Sequence, residues 1–466
     1  MPHYNHIPPM QSNQPKHVLA MPSMVQDIVD SLHHAGATCY VVGGFVRDLE
    51  VQMPSKDIDI EIHNLDALQV EGILGRYGEV DFVGKSFGVY LIRGLDVDWA
   101  LPRTEVSTGN GHKTFDVTVD PHMGLEKALR RRDFTMNAMA ISLKDGSRVD
   151  PFRGDIALHD RRLQHVDEDT FIEDPLRVLR GAQFCARFGL TPSRETTSLC
   201  NSMVDQYQSL PKERVWGELK KMLLTNGNRP SLGIHFLRHT GWLVHWPELS
   251  ALFDTPQDKR WHPEGDVGTH TCEVIDNAAA MLDTVAEEDK LVYMLACLLH
   301  DVGKPATTKI DKETGHITSY GHDKEGCSLV QSFLRRLTNE EDIIQRVVTL
   351  VENHMFPHLG MKAKAPAYRR LQKKVDARLL GKVAEADNLG AEEANHYFNM
   401  LASVGKVEVV AQKETIVNGR HLIARGMTPG KAFGAIIQQC EEYFLETGNR
   451  NPEEILDHIL GQRTEK

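Results

Sequence analysis

Asp57 and Asp59 stand two residues apart in KDIDIEI, residues 56–62, where acid and isoleucine alternate. Strand residues i and i+2 share a face, so these acids and Glu61 project together while Ile58, Ile60 and Ile62 pack on the other side. Neighbouring carboxylates repel, which water tolerates at a sheet edge but a cleft does not unless a cation lies between them. A solvated edge strand is the plainer reading of this stretch alone. Upstream, VVGGFVRD sets Gly43 and Gly44 between an apolar strand and a helix start. Glycine there permits close approach, and free amides favour phosphate. A further acid, Asp98, follows in LDVDWALPRTE. A phosphate turn beside Asp57, Asp59 and Asp98 is an arrangement that holds Mg²⁺ against a triphosphate, activating a hydroxyl and neutralising the leaving pyrophosphate.

A second constellation lies downstream. His300 and Asp301 end an apolar helix in ACLLHDVGKP, where alone they read as a capping pair. His270 in GTHTCEVI, His322 in YGHDKEG, His354 in VENHMF and Asp387 in AEADNLG join them. Imidazoles and carboxylates gathered from several helices suit a divalent transition metal. Between the two groups, Asp174 and Arg177 in EDPLRVLR are spaced to share a helical face and offer acceptors and donors to a base edge. Their plainer reading is a surface ion pair.

The elements that position these residues change character along the chain. MVQDIVDSLHHAGA has helical spacing of Val25, Ile28, Val29 and Leu32; strand-like runs follow at TCYVV, DFVGKSFGVYLI, LDVDWAL and AMAISLK. From EDPLRVLR onward the pattern is helical, so the expected fold class is α+β: a small mixed α/β head and a mainly helical remainder. At 466 residues, with 41% hydrophobic and 25% charged residues, the chain can form two to four soluble domains. No apolar run reaches membrane-spanning length. Net charge is −12, which argues against non-specific coating of nucleic acid, although Arg130, Arg131 and Arg132 and the stretch KAKAPAYRRLQKKVDAR at 362–378 are local basic patches. Seven scattered cysteines without a CxxC pair, and a polar Pro-rich start without an apolar signal core, point to the cytoplasm.

GGFVRD, DIDI, RRRDFTMNAMA (130–140), DPFRG (150–154) and EDPLRVLR (173–180) together resemble the successive motifs of class II tRNA nucleotidyltransferases and bacterial poly(A) polymerases. The resemblance implies Asp57 and Asp59 as metal carboxylates, with Asp98, where the family often has Glu, as the third. It implies Gly44 and Arg47 at the triphosphate, Arg131 or Arg132 on phosphate, Asp133 near the ribose, Asn137 as a brace, and Asp174 and Arg177 on the base edge with Arg180 close by. The histidine series, with HPEGDVGTHT at 262–271, resembles the HD phosphohydrolases fused to some CCA-adding enzymes. It implies His270, His300, Asp301 and Asp387 as core ligands, with His322 and His354 as further candidates. The organisation implied is an N-terminal arm at 1–24, a nucleotidyltransferase head at 25–155, a helical neck and tRNA-binding region at 156–255, an HD domain at 256–400 and a helical C-terminal region at 401–466.

The expected activity is template-independent addition of CCA to the tRNA 3′ end from CTP and ATP, with Mg²⁺, and metal-dependent phosphohydrolysis in the HD domain. The Gly- and Thr-rich loop between Arg103 and Arg130 favours completing the terminal adenosine by the same resemblance. The rivals are a poly(A) polymerase or a CC- or A-adding specialist, and, from another class, an HD phosphohydrolase with a nucleotide-sensing head. A single Lys in GKSFG (84–88) and the tail NPEEILDHILGQRTEK, which is not basic, disfavour the processive polymerase.

Overall fold

A computed structural model of the chain describes residues 21–55, 57–82, 88–107, 115–224, 229–359, 362–405 and 415–464. The arm up to Ala20, most of GKSFG and the centre of the loop at 108–114 lie outside them. The chain divides into two compact units, Met1–Trp246 and Pro247–Lys466.

The first unit is built on a mixed seven-stranded sheet. Its strands are β1 (Thr38–Val42), β2 (Ile58–His63), β3 (Val80–Phe82), β4 (Val89–Ile92), β5 (Val97–Ala100), β8 (Ala140–Ser142) and β9 (Arg148–Val149), while β6 (Arg103–Ser107) and β7 (Phe115–Val119) form a separate antiparallel ladder. The order is β3-β4-β5-β2-β1-β8-β9. The edge-strand reading of KDIDIEI therefore fails, because β2 lies inside the sheet between β1, antiparallel, and β5, parallel. Ile60 and Ile62 are buried on one side, and Glu61 and His63 are buried on the other. DFVGKSFGVYLI is likewise two antiparallel strands, β3 and β4, rather than one. The first helix, Ser23–His34, buries Val25, Ile28, Val29 and Leu32 as their spacing predicts.

After the sheet, the unit turns helical. Helix Leu176–Phe188 begins after Asp174, so Asp174 and Arg177 do not share a helical face as their spacing suggests; Pro175 marks the N-cap and Asp174 precedes it. The neck helix, Lys212–Leu224, buries Val215, Trp216, Glu218, Leu219 and Met222.

The second unit is helical. Helices Val267–Ala280, Lys290–Leu299, His322–Leu337, Glu341–Asn353 and Ala377–Ala386 surround a core that includes the fully apolar face of Lys290–Leu299. Part of the basic stretch at 362–378 is engaged internally: Arg370 pairs with Glu442 and Glu446, Lys373 with Glu441 at 2.7 Å, and Arg369 donates to the carbonyls of Leu445 and Glu446. These acids lie on helix Lys431–Thr447, whose Ile436, Cys440, Phe444 and Leu445 enter a small C-terminal core.

Candidate active sites

In the first unit a cleft of about 650 Å³ is lined by Gly44, Arg47, Asp57, Asp59, Arg132, Asp133, Asn137, Asp174, Arg177 and Arg180 among others. An adjoining hollow of about 370 Å³ adds Asp98, Glu61, Arg131 and Glu173. β1 delivers the chain to Gly43, whose φ of 74° is the left-handed region that glycine tolerates. A Cβ at Gly43 would run into the Arg132 guanidinium and come within 3.6 Å of Asp59 Oδ2. The turn thus leaves room for a ligand's oxygens between a cation and an acid.

Asp59 sits on β2 directly beside Asp98 on the parallel strand β5. Burial pushes the Asp59 carboxyl above its ordinary value; Arg132 opposes this, and Asp98, Asp57 and Glu61 add to it. Asp98 is raised in the same sense, by burial and then by Asp57. An all-oxygen set of mutually repelling carboxylates fits a hard divalent cation. Behind them, Glu61 Oε2 lies 3.8 Å from Arg132 Nη2, and Glu61 Oε1 lies 2.9 Å from His63 Nε2. His63 Nδ1 faces the Met123 carbonyl at 2.9 Å. Glu61 and His63 are legible in the sequence only as continuations of the alternating strand; their support of Arg132 depends on the fold.

Arg47 is buried and engaged. Its Nε and Nη2 donate to Asp48 Oδ1 at 2.8 and 2.6 Å, its Nη1 donates to Asn137 Oδ1 at 2.6 Å, and it stacks over Phe188. Asn137 in turn donates to Asp133 Oδ1 at 2.9 Å, and Arg180 Nε donates to Asp133 Oδ2 at 2.7 Å. Burial would raise Asp133, but Arg180 and Asn137 outweigh it and hold the carboxyl below the usual range. This buried network walls the cleft; Asp48 closes the GGFVRD motif without being singled out there, and Arg187, 3.5 Å from it, has no motif signal in the sequence. The three consecutive arginines separate: Arg130 pairs with Glu126, Arg131 with Glu173 at 2.6 Å, and Arg132 turns to Asp59 and Glu61. Arg177 is held by the carbonyls of Thr170 and Arg131, both at 2.8 Å. Asp174 Oδ1 accepts from the Leu176 amide at 3.1 Å, and Oδ2 accepts from Arg214 at 2.8 Å.

The second unit brings its six histidine-aspartate candidates together. His270 comes from helix Val267–Ala280; His300 caps the helix ending at Leu299, and Asp387 caps the one ending at Ala386. His270 Nε2 lies 2.8 Å from Asp387 Oδ1 and 3.9 Å from Asp301 Oδ2; His300 Nε2 lies 3.2 Å from Asp301 Oδ2. His322 and His354 lie 3.3 and 3.8 Å from the other Asp301 oxygen. Two sets of three donors, His270–His300–Asp301 and Asp301–His322–His354, each lie within 4.8 Å and share Asp301. His300, His322 and His354 each turn Nδ1 to a carbonyl three residues back, of Cys297, Ser319 and Val351.

Donating Nδ1–H to those carbonyls leaves the Nε2 lone pairs facing inward. Nε2 of His322 and of His354 are then 3.0 Å apart, an acceptor against an acceptor that a cation between them would resolve. Burial and then His300 push His354 down to about 4, so its imidazole is neutral. Burial would lower His300, but Asp301 and Asp387 push it up to about 9. Mixed imidazole and carboxylate donors fit a transition metal. Spacing alone did not single out Glu264, whose Oε1 is 2.8 Å from His270 Nδ1, His358, whose Nε2 is 3.1 Å from Asp387 Oδ2, or Lys304, whose Nζ is 2.7 Å from Asp301 Oδ2. Gly303 is what lets this turn dock: a Cβ there would collide with the His322 carbonyl.

The Poly A polymerase head domain family matches residues 39–164, and the HD domain family matches 267–392. The multifunctional CCA protein of Xanthomonas campestris pv. campestris is 34% identical over 406 residues, covering 83% of this chain and 93% of the relative. In fold, the chain is similar to the Bacillus stearothermophilus CCA-adding enzyme in complex with CTP, with a TM-score of 0.66, 20% identity and coverage of 95% and 97%. It is similar also to the Thermotoga maritima CCA-adding enzyme complexed with tRNA, at 0.60, 22%, 94% and 95%. Among the described residues, no helix is long and apolar enough to cross a membrane.

The raised carboxylates give a stability test. A carboxyl whose folded value lies above its unfolded one favours the fold while protonated, and that contribution is lost as pH rises through the raised value. Asp59→Asn and Asp98→Asn should therefore each raise the melting temperature near neutral pH in chelator, and shrink the gain that Mg²⁺ gives the unaltered chain. Both effects should fade as pH falls below the raised values, where the carboxyls are protonated. Lower melting temperatures for both variants at neutral pH would reject the crowded-carboxylate reading.

Proposed function

The chain belongs to the family of CCA-adding tRNA nucleotidyltransferases, and on that premise we propose that its first unit adds CCA to the tRNA 3′ end from CTP and ATP without a template. The observation that carries the reading is the juxtaposition of Asp59 and Asp98 on neighbouring strands with the Gly43 turn and Arg132, in a cleft that also holds Asp174 and Arg177. Asp57, Asp59 and Asp98 would hold Mg²⁺, which when bound neutralises triphosphate charge and acidifies the attacking hydroxyl. The terminal ribose oxygen bonds to the α-phosphorus while the bond to pyrophosphate breaks. Arg132 offers donors to the phosphates, and the glycine turn admits them. Arg47 and Asn137, already bonded to each other, brace this wall more than they contact the ligand.

Base choice follows from complementary chemistry. Cytosine and adenine carry an exocyclic amino donor where uracil and guanine carry a carbonyl. The Asp174 carboxylate accepts from the first pair and repels the second, and Arg177 supplies donors beside it. Catalysis is then mostly positioning and charge neutralisation.

For the second unit we propose metal-dependent phosphohydrolysis. His270, His300, Asp301 and Asp387 would hold one ion, and Asp301, His322 and His354 a second; such ions when bound activate water and polarise a phosphoryl oxygen. Glu264 orients His270, and His358 orients Asp387. Seven cysteines present as free thiols support a reducing, cytoplasmic setting.

Labelled CTP and ATP should enter a tRNA lacking its 3′ end, and sequencing should show CCA from a tRNA offered without either cytidine. Products ending at CC, or an added A alone, would assign a specialist instead. Asp59→Ala should lower addition about a hundredfold or more while phosphate release by the second unit persists. Loss of neither activity in Asp59→Ala would sink the assignment of the head. Elemental analysis after loading with a transition metal should find two ions per chain and one after combined His322→Ala and His354→Ala; unchanged stoichiometry would remove the second site.

A further inference from the structure

We infer that Arg214 is a positioning residue that sets nucleotide selectivity by locking the carboxylate of Asp174; the inference rests on the base-reading role proposed above for that residue. Arg214 lies in the first turn of the neck helix Lys212–Leu224, where the helix dipole disfavours a cation. A counter-charge makes that placement tolerable: Arg214 Nη2 donates to Asp174 Oδ2 at 2.8 Å. Both residues line the 650 Å³ cleft together with Arg177. The other face of the neck helix buries Val215, Trp216, Leu219 and Met222, so the backbone bearing Arg214 is fixed.

Asp174 gains little from its own helix, which begins only at Leu176. One oxygen takes the Leu176 amide at 3.1 Å and the other takes Arg214, and a carboxylate held at both oxygens cannot rotate without breaking a bond. Arg177 is held separately, through the carbonyls of Thr170 and Arg131. Removing Arg214 therefore releases one half of the base-reading pair and leaves the other in place. The freed carboxylate swings between orientations, and the acceptor that separates amino from carbonyl bases is no longer fixed. The phosphate end of the cleft, built on Gly43, Asp59 and Arg132, is untouched. As a surface ion pair, the contact adds little to stability.

The test is single-nucleotide incorporation on a tRNA transcript lacking its 3′ end, with kcat/KM for CTP, ATP, UTP and GTP measured on the full-length chain. In Arg214→Ala the preference for CTP over UTP should fall about tenfold, with an unchanged melting temperature and with much of the preference kept in Arg214→Lys. A preference that survives Arg214→Ala but collapses in Asp174→Ala overturns the role of Arg214 and leaves the base reading standing. Survival in Asp174→Ala rejects the base reading itself. An equal fall for all four nucleotides, or no rescue by Lys, also overturns the inference. Should Arg214→Ala not fold, Arg214→Gln carries the same comparison.

Discussion

Like charges held close by a rigid sheet are the constraint on which the head depends. Asp59 and Asp98 occupy paired positions on β2 and β5, so their separation is set by strand spacing and not by side-chain choice. Neither can retreat without breaking the ladder, and burial pushes both carboxyls upward, with Asp98 and Asp57 adding to the shift of Asp59 and Asp57 to that of Asp98. The sheet pays for a site that is useful only when a cation fills it. Gly43 at the end of β1 and Arg132 opposite it are arranged around the same point.

The second unit meets an analogous need with different donors. Five helices each contribute from an end or a first turn, and backbone carbonyls fix the imidazole tautomers from behind. Asp387 at a helix C-terminus is disfavoured by the dipole, yet His300 and hydrogen bonds from His270 and His358 outweigh its burial and hold it ionised. Oxygen-only donors on a sheet and imidazole-rich donors at helix ends point to ions of different hardness. The two units can therefore carry separate chemistries on one chain.

Away from those centres, charge goes into internal pairing. The basic stretch at 362–378 reads from sequence as a cationic face, but Arg370 and Lys373 are matched by glutamates of helix Lys431–Thr447. Even in the hollow beside the carboxylates, Arg131 goes to Glu173. What distinguishes Arg132 and Arg177 from Arg370 and Lys373 is their place along a cleft, and that is a property of the fold.

Short-range features are legible in the sequence itself. Glycines ahead of a helix, acids alternating with isoleucines, a histidine-aspartate pair closing an apolar helix and the amphipathic first helix are all written in local spacing, because strand and helix periods act over a few residues. The motifs in order along the chain also carry the α+β class. Tertiary structure alone decided the rest. It made β2 an interior strand, since pairing partners come from residues far along the chain; it brought Arg214 of a later helix onto Asp174; and it bonded Arg47 to Asn137. Residue type and spacing state which groups are available, whereas burial and partners at long sequence separation determine which of them are left facing a ligand.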